Sequence, residues 1–124
     1  MFQPGEIVHA AFPFTDLSSN KRRPCLVLAQ CDSPDDFLVA FITSAPTAPA
    51  STRTVAVNPT HSDWRKTGLK RPSLVRVDKL TTLHLSVISG AIGVMPDDLM
   101  RSVRQKLRLL LCPGEPADQQ PSSV

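Results

Sequence analysis

The apolar residues of this chain follow one rhythm for most of its length and change it once. From Gly5 to Met95 they come in short runs separated by turn chemistry. After Pro96 they recur at helical spacing, with Leu99, Val103, Leu107 and Leu110 four, four and three residues apart. The runs are Gly5–Phe14, Arg23–Gln30, Phe37–Ser44, Arg53–Asn58, Ser73–Leu83 and Val87–Met95. They predict about six short strands followed by one amphipathic helix. Strands and helices do not alternate and no segment repeats, so a parallel βαβ sheet and a solenoid are both excluded. The pattern leaves a small, strongly curved antiparallel sheet or barrel with a helix packed on it.

Three details sharpen this. Phe37–Ser44 (FLVAFITS) is apolar on both faces, as a central buried strand would be. Val87–Met95 carries Gly90 and Gly93, which predict a bend or bulge. Pro96-Asp97-Asp98 places a proline and two acids in a first helical turn, where they suit the positive end of the helix dipole. Pro113-Gly114 ends that helix, and the polar residues that follow predict a disordered tail over 112–124. With 124 residues in all, one domain over residues 1–111 is expected.

No apolar run approaches the ~20 residues of a membrane span, and the N-terminus carries no secretory pattern, so a cytoplasmic protein is expected. Cys25, Cys31 and Cys112 are odd in number and spaced unlike metal ligands, and His9, His61 and His84 lie far apart. Neither a disulfide scaffold nor a metal or other cofactor is expected. All fourteen Lys and Arg precede residue 112, seven of them between Arg53 and Lys79. Such a concentration suits a polyanion such as RNA or DNA, or simply a solvated positive surface.

Three places could carry chemistry. Lys21-Arg22-Arg23-Pro24 stands where a polar loop meets a strand; an arginine there offers a planar fork to phosphate, or is a solvated loop end. Arg76 and Asp78, two apart in a strand, project to one face roughly 6–7 Å apart. They could stabilise a phosphorane and accept a proton, or form a surface ion pair. Thr43-Ser44 closes the buried strand with two hydroxyls, suited to a phosphate or to a local turn. Trp64, beside Arg65 and Lys66, could stack on a base or pack against the domain.

Taken in order, these residues resemble the MazF/PemK/Kid family of toxins from type II toxin–antitoxin modules. The matching pieces are Gly5-Glu6-Ile7-Val8, then Arg23-Pro24 opening an apolar strand, then Ile42-Thr43-Ser44, and then Val75-Arg76-Val77-Asp78-Lys79. With the helix after Gly93, the likeness spans about residues 4 to 111. It implies an SH3-like β-barrel with a C-terminal helix, a homodimer, and metal-independent endoribonuclease cleavage of single-stranded RNA. A cognate antitoxin would lie across the RNA-binding groove. Catalytic roles carry over to Arg23, Thr43, Arg76 and Asp78, and substrate contacts to Lys21, Arg22, Ser44 and Lys79. Some members carry a glutamate, and Kid a histidine, in the loop where this chain has Ser18 and Leu17, so no acid–base role carries over there.

The implied chemistry is attack by a ribose 2′-hydroxyl on the adjacent phosphorus, giving a 2′,3′-cyclic phosphate. It needs a base, for which Asp78 would require a pKa brought toward neutrality, and cations for the developing charge, for which Arg23 and Arg76 are candidates. Two alternatives use the same barrel: a non-enzymatic CcdB-like gyrase binder, and a plain RNA-binding domain.

Overall fold

The computed structural model describes residues 2–11, 22–44 and 50–114. Six strands form one sheet: β1 (Glu6–Ala10), β2 (Arg23–Gln30), β3 (Asp36–Ser44), β4 (Thr54–Val57), β5 (Ser73–His84) and β6 (Ile88–Val94). Helix α1 (Asp97–Leu111) follows, and short 3-10 turns occupy Trp64–Thr67 and Leu85–Val87. The order across the sheet is β4-β5-β3-β2-β1-β6, with every neighbouring pair antiparallel. Six strands and one helix stand where the apolar rhythm puts them. The edges differ by a few residues: Arg53 lies in the turn before β4, and Val87 in the turn before β6. Residues 12–14, expected in the first strand, lie outside the described residues, as do Lys21, Leu17, Ser18 and positions 115–124 of the expected tail.

The sheet curves but does not close into the barrel implied by the family likeness. Closure would need β4 to pair with β6, and these are the two edges. The turn Trp64–Thr67 lies against β6 instead, backbone to backbone. A Cβ built on Gly93 would stand 2.3 Å from the Thr67 carbonyl, and one on Gly68 would stand 2.1 Å from the Ile92 oxygen. Gly68 also has φ +71°, a conformation that side chains disfavour. Only glycine at both places lets the two chains approach this closely. The bend expected in β6 is present: the β1–β6 register skips Ile92 and then Ser89, beside the two glycines.

β3 explains why both faces need cover. Ile42 and Ala40 join a cluster with Ile7, Leu26, Val55, Val75, Met100 and Val103 on one face. Val39, Phe41 and Phe37 join Val8, Cys25, Val27 and Leu83 on the other. Helix α1 covers the first face through Met100 and Val103, with Leu99 and Leu107 beside them. The spacing argument misses Met100 because it follows only one line of leucines and valines. Lys106 Nζ ties the helix down, donating to the carbonyls of Ser51 and Thr54 at 2.7 Å each. Curvature covers the second face: Phe2 meets Phe37 edge-on at 5.6 Å, and Val87 and Ile88 fold in beside it. The second apolar face is therefore covered within one chain. Burial raises the Cys25 thiol to about 12, so it behaves there as a small apolar group.

Gly93→Ala is expected to lower stability by about 2 kcal/mol or more, since backbone must move to admit the methyl group. Gly114→Ala, with nothing near its Cβ, should change stability by less than about 0.5 kcal/mol. Urea unfolding of the three proteins checks both values.

Candidate active site

Strand register sorts the candidate residues by face. Cys25 lies opposite Phe41, and Phe41 lies opposite Arg76. Two residues further along their strands, and hence on the same face, stand Arg23 and Thr43. Arg23 is itself opposite Ala10, and Thr43 is opposite Leu74. Thr43 and Arg76 are thus diagonal neighbours, a relation that in sheets spans about 7–8 Å. Arg23, Thr43 and Arg76, far apart in the chain, therefore share one face near one end of the sheet.

Arg76 and Asp78 form a two-pronged ion pair. Nε donates to Oδ1 at 2.9 Å and the second guanidinium nitrogen to Oδ2 at 3.0 Å, with both side chains about 30% exposed. A local irregularity frames this pair. Ala40 pairs with Leu80 and the next residue, Phe41, with Arg76, so Val77, Asp78 and Lys79 bow out of the ladder. The Val77 amide donates instead to the Arg53 carbonyl at 3.0 Å. Lys79 Nζ lies 5.8 Å from the centre of the Phe41 ring, within reach of its negative face.

The electrostatics run against one expectation. The hydrogen bonds from Arg76 hold the Asp78 carboxyl below the usual range, against an opposing push from burial, with the Arg76 charge adding to the lowering. The same bonds raise Arg76. A base poised near neutrality would need the opposite shift, so in this state Asp78 is an ionised anchor for Arg76.

A cleft of about 360 Å³ opens at the ends of β2 and β3, walled on the far side by residues 68–73. Arg22, Arg23 and Ser44 line it, whereas Thr43, Arg76, Asp78 and Lys79 do not, and Arg22 also donates to the Val87 carbonyl at 3.2 Å. Arg23 Nε is buried there with no hydrogen-bond partner among the described residues. His9, Lys70, Arg71 and Ser73 share the lining and were not singled out from the sequence. Lys70-Arg71 was legible as a basic pair just before Pro72, but counted only towards bulk charge. No acidic residue belongs to the described lining. Trp64 packs half-buried on the first core cluster.

The sequence pattern of the PemK-like, MazF-like toxins of type II toxin–antitoxin systems matches residues 3–111. The chain belongs to this family. Among solved structures, an endoribonuclease in complex with its cognate antitoxin from Mycobacterial species is 16% identical, with a TM-score of 0.71, covering 94% of this chain and 100% of that one. The Mycobacterium tuberculosis toxin MazF-mt6 is 20% identical, with a TM-score of 0.63 over 86% of this chain and 95% of that one. MazF from Deinococcus radiodurans is 26% identical, with a TM-score of 0.65 over 87% and 94%. None of the curated protein sequences compared with the chain matches it. This PemK/MazF-family chain thus shares the mainly β fold of MazF toxins at low identity. No helix among the described residues is long and apolar enough to cross a membrane.

The Asp78 carboxyl should titrate below the ~3.9 of a free aspartate. A carboxyl lowered on folding adds stability above its unfolded value and loses that contribution as pH falls through the folded value. Carbon-detected NMR of the carboxyl through an acid titration measures the midpoint. Arg76→Ala should return it toward the free value.

Proposed function

We propose that the protein is the toxin of a type II toxin–antitoxin pair, an endoribonuclease that cuts single-stranded RNA without a metal ion and so inhibits growth. The observation that carries this reading is the alignment of Arg23, Thr43 and Arg76 on one face, with the Arg76 fork held ready by Asp78. In this reading residues 1–111 are the toxin domain, residues 112–124 a tail outside it, and the protein acts in the cytoplasm as a homodimer. A cognate antitoxin would cover the RNA-binding surface; one structural neighbour is an endoribonuclease in complex with its cognate antitoxin.

The chemistry follows from competition for one guanidinium. Arg76 can offer its paired donors to Asp78 or to a phosphate, but not fully to both. When the scissile phosphate draws Arg76 away, Asp78 loses the bonds that depress its pKa and becomes a stronger base. Asp78 then takes the 2′-hydroxyl proton, and the 2′-oxygen attacks phosphorus. Arg23 and Arg76 stabilise the charge on the phosphorane while Thr43 orients its oxygens. The bond to the 5′-oxygen breaks, that oxygen takes a proton from solvent water, and a 2′,3′-cyclic phosphate and a 5′-hydroxyl result. Arg22, Ser44 and Lys79, with Lys21, would contact RNA around this centre. Metal independence is supported by the donor chemistry: the proposed centre of Arg23, Thr43, Arg76 and Asp78 offers one carboxylate, where a divalent ion takes several oxygen ligands.

Purified protein with long single-stranded RNA in excess EDTA should yield fragments with cyclic phosphate and 5′-hydroxyl ends, and single-stranded DNA should survive. Activity lost in EDTA and restored by magnesium would overturn metal independence. RNA bound but left intact would favour a plain RNA-binding domain, and inhibition of gyrase without RNA contact a CcdB-like toxin.

Arg23→Ala should slow single-turnover cleavage by about 10²–10³, the usual cost of losing one preorganised charge partner. Arg23→Lys should not rescue it, because a point charge cannot reproduce the fork. Asp78→Asn should lose at least about 10² in rate while folding and binding RNA normally. A rate for Asp78→Asn within threefold of the parent would remove Asp78 as the base.

A further inference from the structure

We infer that Lys70 and Arg71 hold a phosphodiester next to the scissile one, making the cleft beside Arg23 a second backbone subsite for single-stranded RNA. This rests on the RNA-cleaving reading and adds to it a binding role for residues 68–73.

Charge is the first ground. Arg22, Arg23, Lys70 and Arg71 converge on one cleft whose described lining has no acid. Three of the described acids have partners of their own: Asp63 pairs with Lys66, Asp78 with Arg76, and Asp98 with His61. Neither Lys70 nor Arg71 takes part in an ion pair among the described residues. Cations held together without counter-charge repel one another, and a bound phosphate relieves that repulsion. Ser44 and Ser73 add hydroxyls to the same lining.

Preorganisation is the second. The backbone on both sides of Lys70-Arg71 is fixed. Thr67, fully buried, donates through Oγ1 to the Trp64 carbonyl at 2.7 Å and accepts from the Leu69 amide at 3.1 Å. Gly68 is wedged against Ile92, Leu69 is buried in the core, and Ser73 Oγ donates to the Arg71 carbonyl at 2.8 Å. Pro72 restricts the chain between them. A surface loop with a merely solvated charge run needs no such anchoring.

Continuity with the proposed centre is the third. Arg23 belongs both to the face carrying Thr43 and Arg76 and to the cleft lining, at the end of β2 where the two meet. A strand with its scissile phosphate at Arg23 passes into the cleft with its next phosphate facing Lys70 and Arg71. The cleft falls within the ~300–1,000 Å³ typical of ligand pockets, which admits a single nucleotide unit.

The test compares the parent with Lys70→Ala/Arg71→Ala, and with Arg101→Ala/Arg104→Ala as a charge-matched control on the exposed face of α1. Single-stranded RNA cleavage is measured in single turnover against protein concentration, and RNA binding against salt. Thermal melting checks folding, and a Lys70→Gln/Arg71→Gln variant replaces the first if it melts early. The expected result is a tenfold or greater rise in the half-saturating concentration, with little change in rate at saturation. The slope of log affinity against log salt should shrink by about 1.4, the release expected for two cations on a single strand. The helix control should behave as the parent. If the parent cleaves RNA and the Lys70/Arg71 variant matches it in affinity and slope, the subsite is wrong while the enzymatic reading survives. If the parent does not cleave but binds RNA in a Lys70/Arg71-dependent way, the subsite stands and the enzymatic reading falls. If the parent does not bind RNA, both fall. A variant that keeps RNA affinity but loses affinity for a polyglutamate peptide would assign the cleft to an acidic protein segment instead, and overturn the proposal.

Discussion

A central strand that is apolar on both faces sets the terms for this protein. Phe37, Val39 and Phe41 point one way from β3, and Ala40 and Ile42 the other, and all five are buried. One helix can cover only one of these faces. The chain solves the other by curling the sheet until Phe2, Leu83, Val87 and Ile88 close over it. That curl requires bulges where β6 meets β1, and close contact where the Trp64–Thr67 turn lies on β6. Gly68 and Gly93 are the points where side chains would forbid it.

The same curvature brings the functional groups together. The irregularity in β5 that bows Val77, Asp78 and Lys79 out of the ladder sits opposite Ala40 and Phe41, at the middle of β3. It leaves Arg76 in register with Phe41 while Asp78 remains free to grip the guanidinium from two residues away. The glycine-dependent contact that holds the Trp64–Thr67 turn also fixes the segment leading to Lys70 and Arg71. Structural necessity and the positive cleft thus share a support. Substitutions in that support would therefore reach the cleft without touching its charges.

Membership in the PemK/MazF toxin family fits these features, and the low identity to solved MazF structures explains why chain-specific features matter. Solved structures of 16%, 20% and 26% identity share this fold, so it persists through wide change in sequence.

The sequence alone sets the element order. Apolar period, turn residues and the Pro96 helix start are local signals, and local backbone preference fixes them within a few residues. It also determined that Arg76 and Asp78 would share a face, since strand alternation makes that a matter of counting by two. Tertiary structure alone decided the rest. That the sheet stays open follows from the turn occupying the outer side of β6, a contact between residues some 25 positions apart. That Asp78 is held ionised follows from hydrogen-bond geometry which spacing cannot specify. That Lys70 and Arg71 face Arg22 and Arg23 depends on how β5 and β2 flank β3, and no periodicity records it. Local patterns constrain the directions in which side chains point, but the neighbours they meet are set by long-range pairing, and in this chain the charges meet only there.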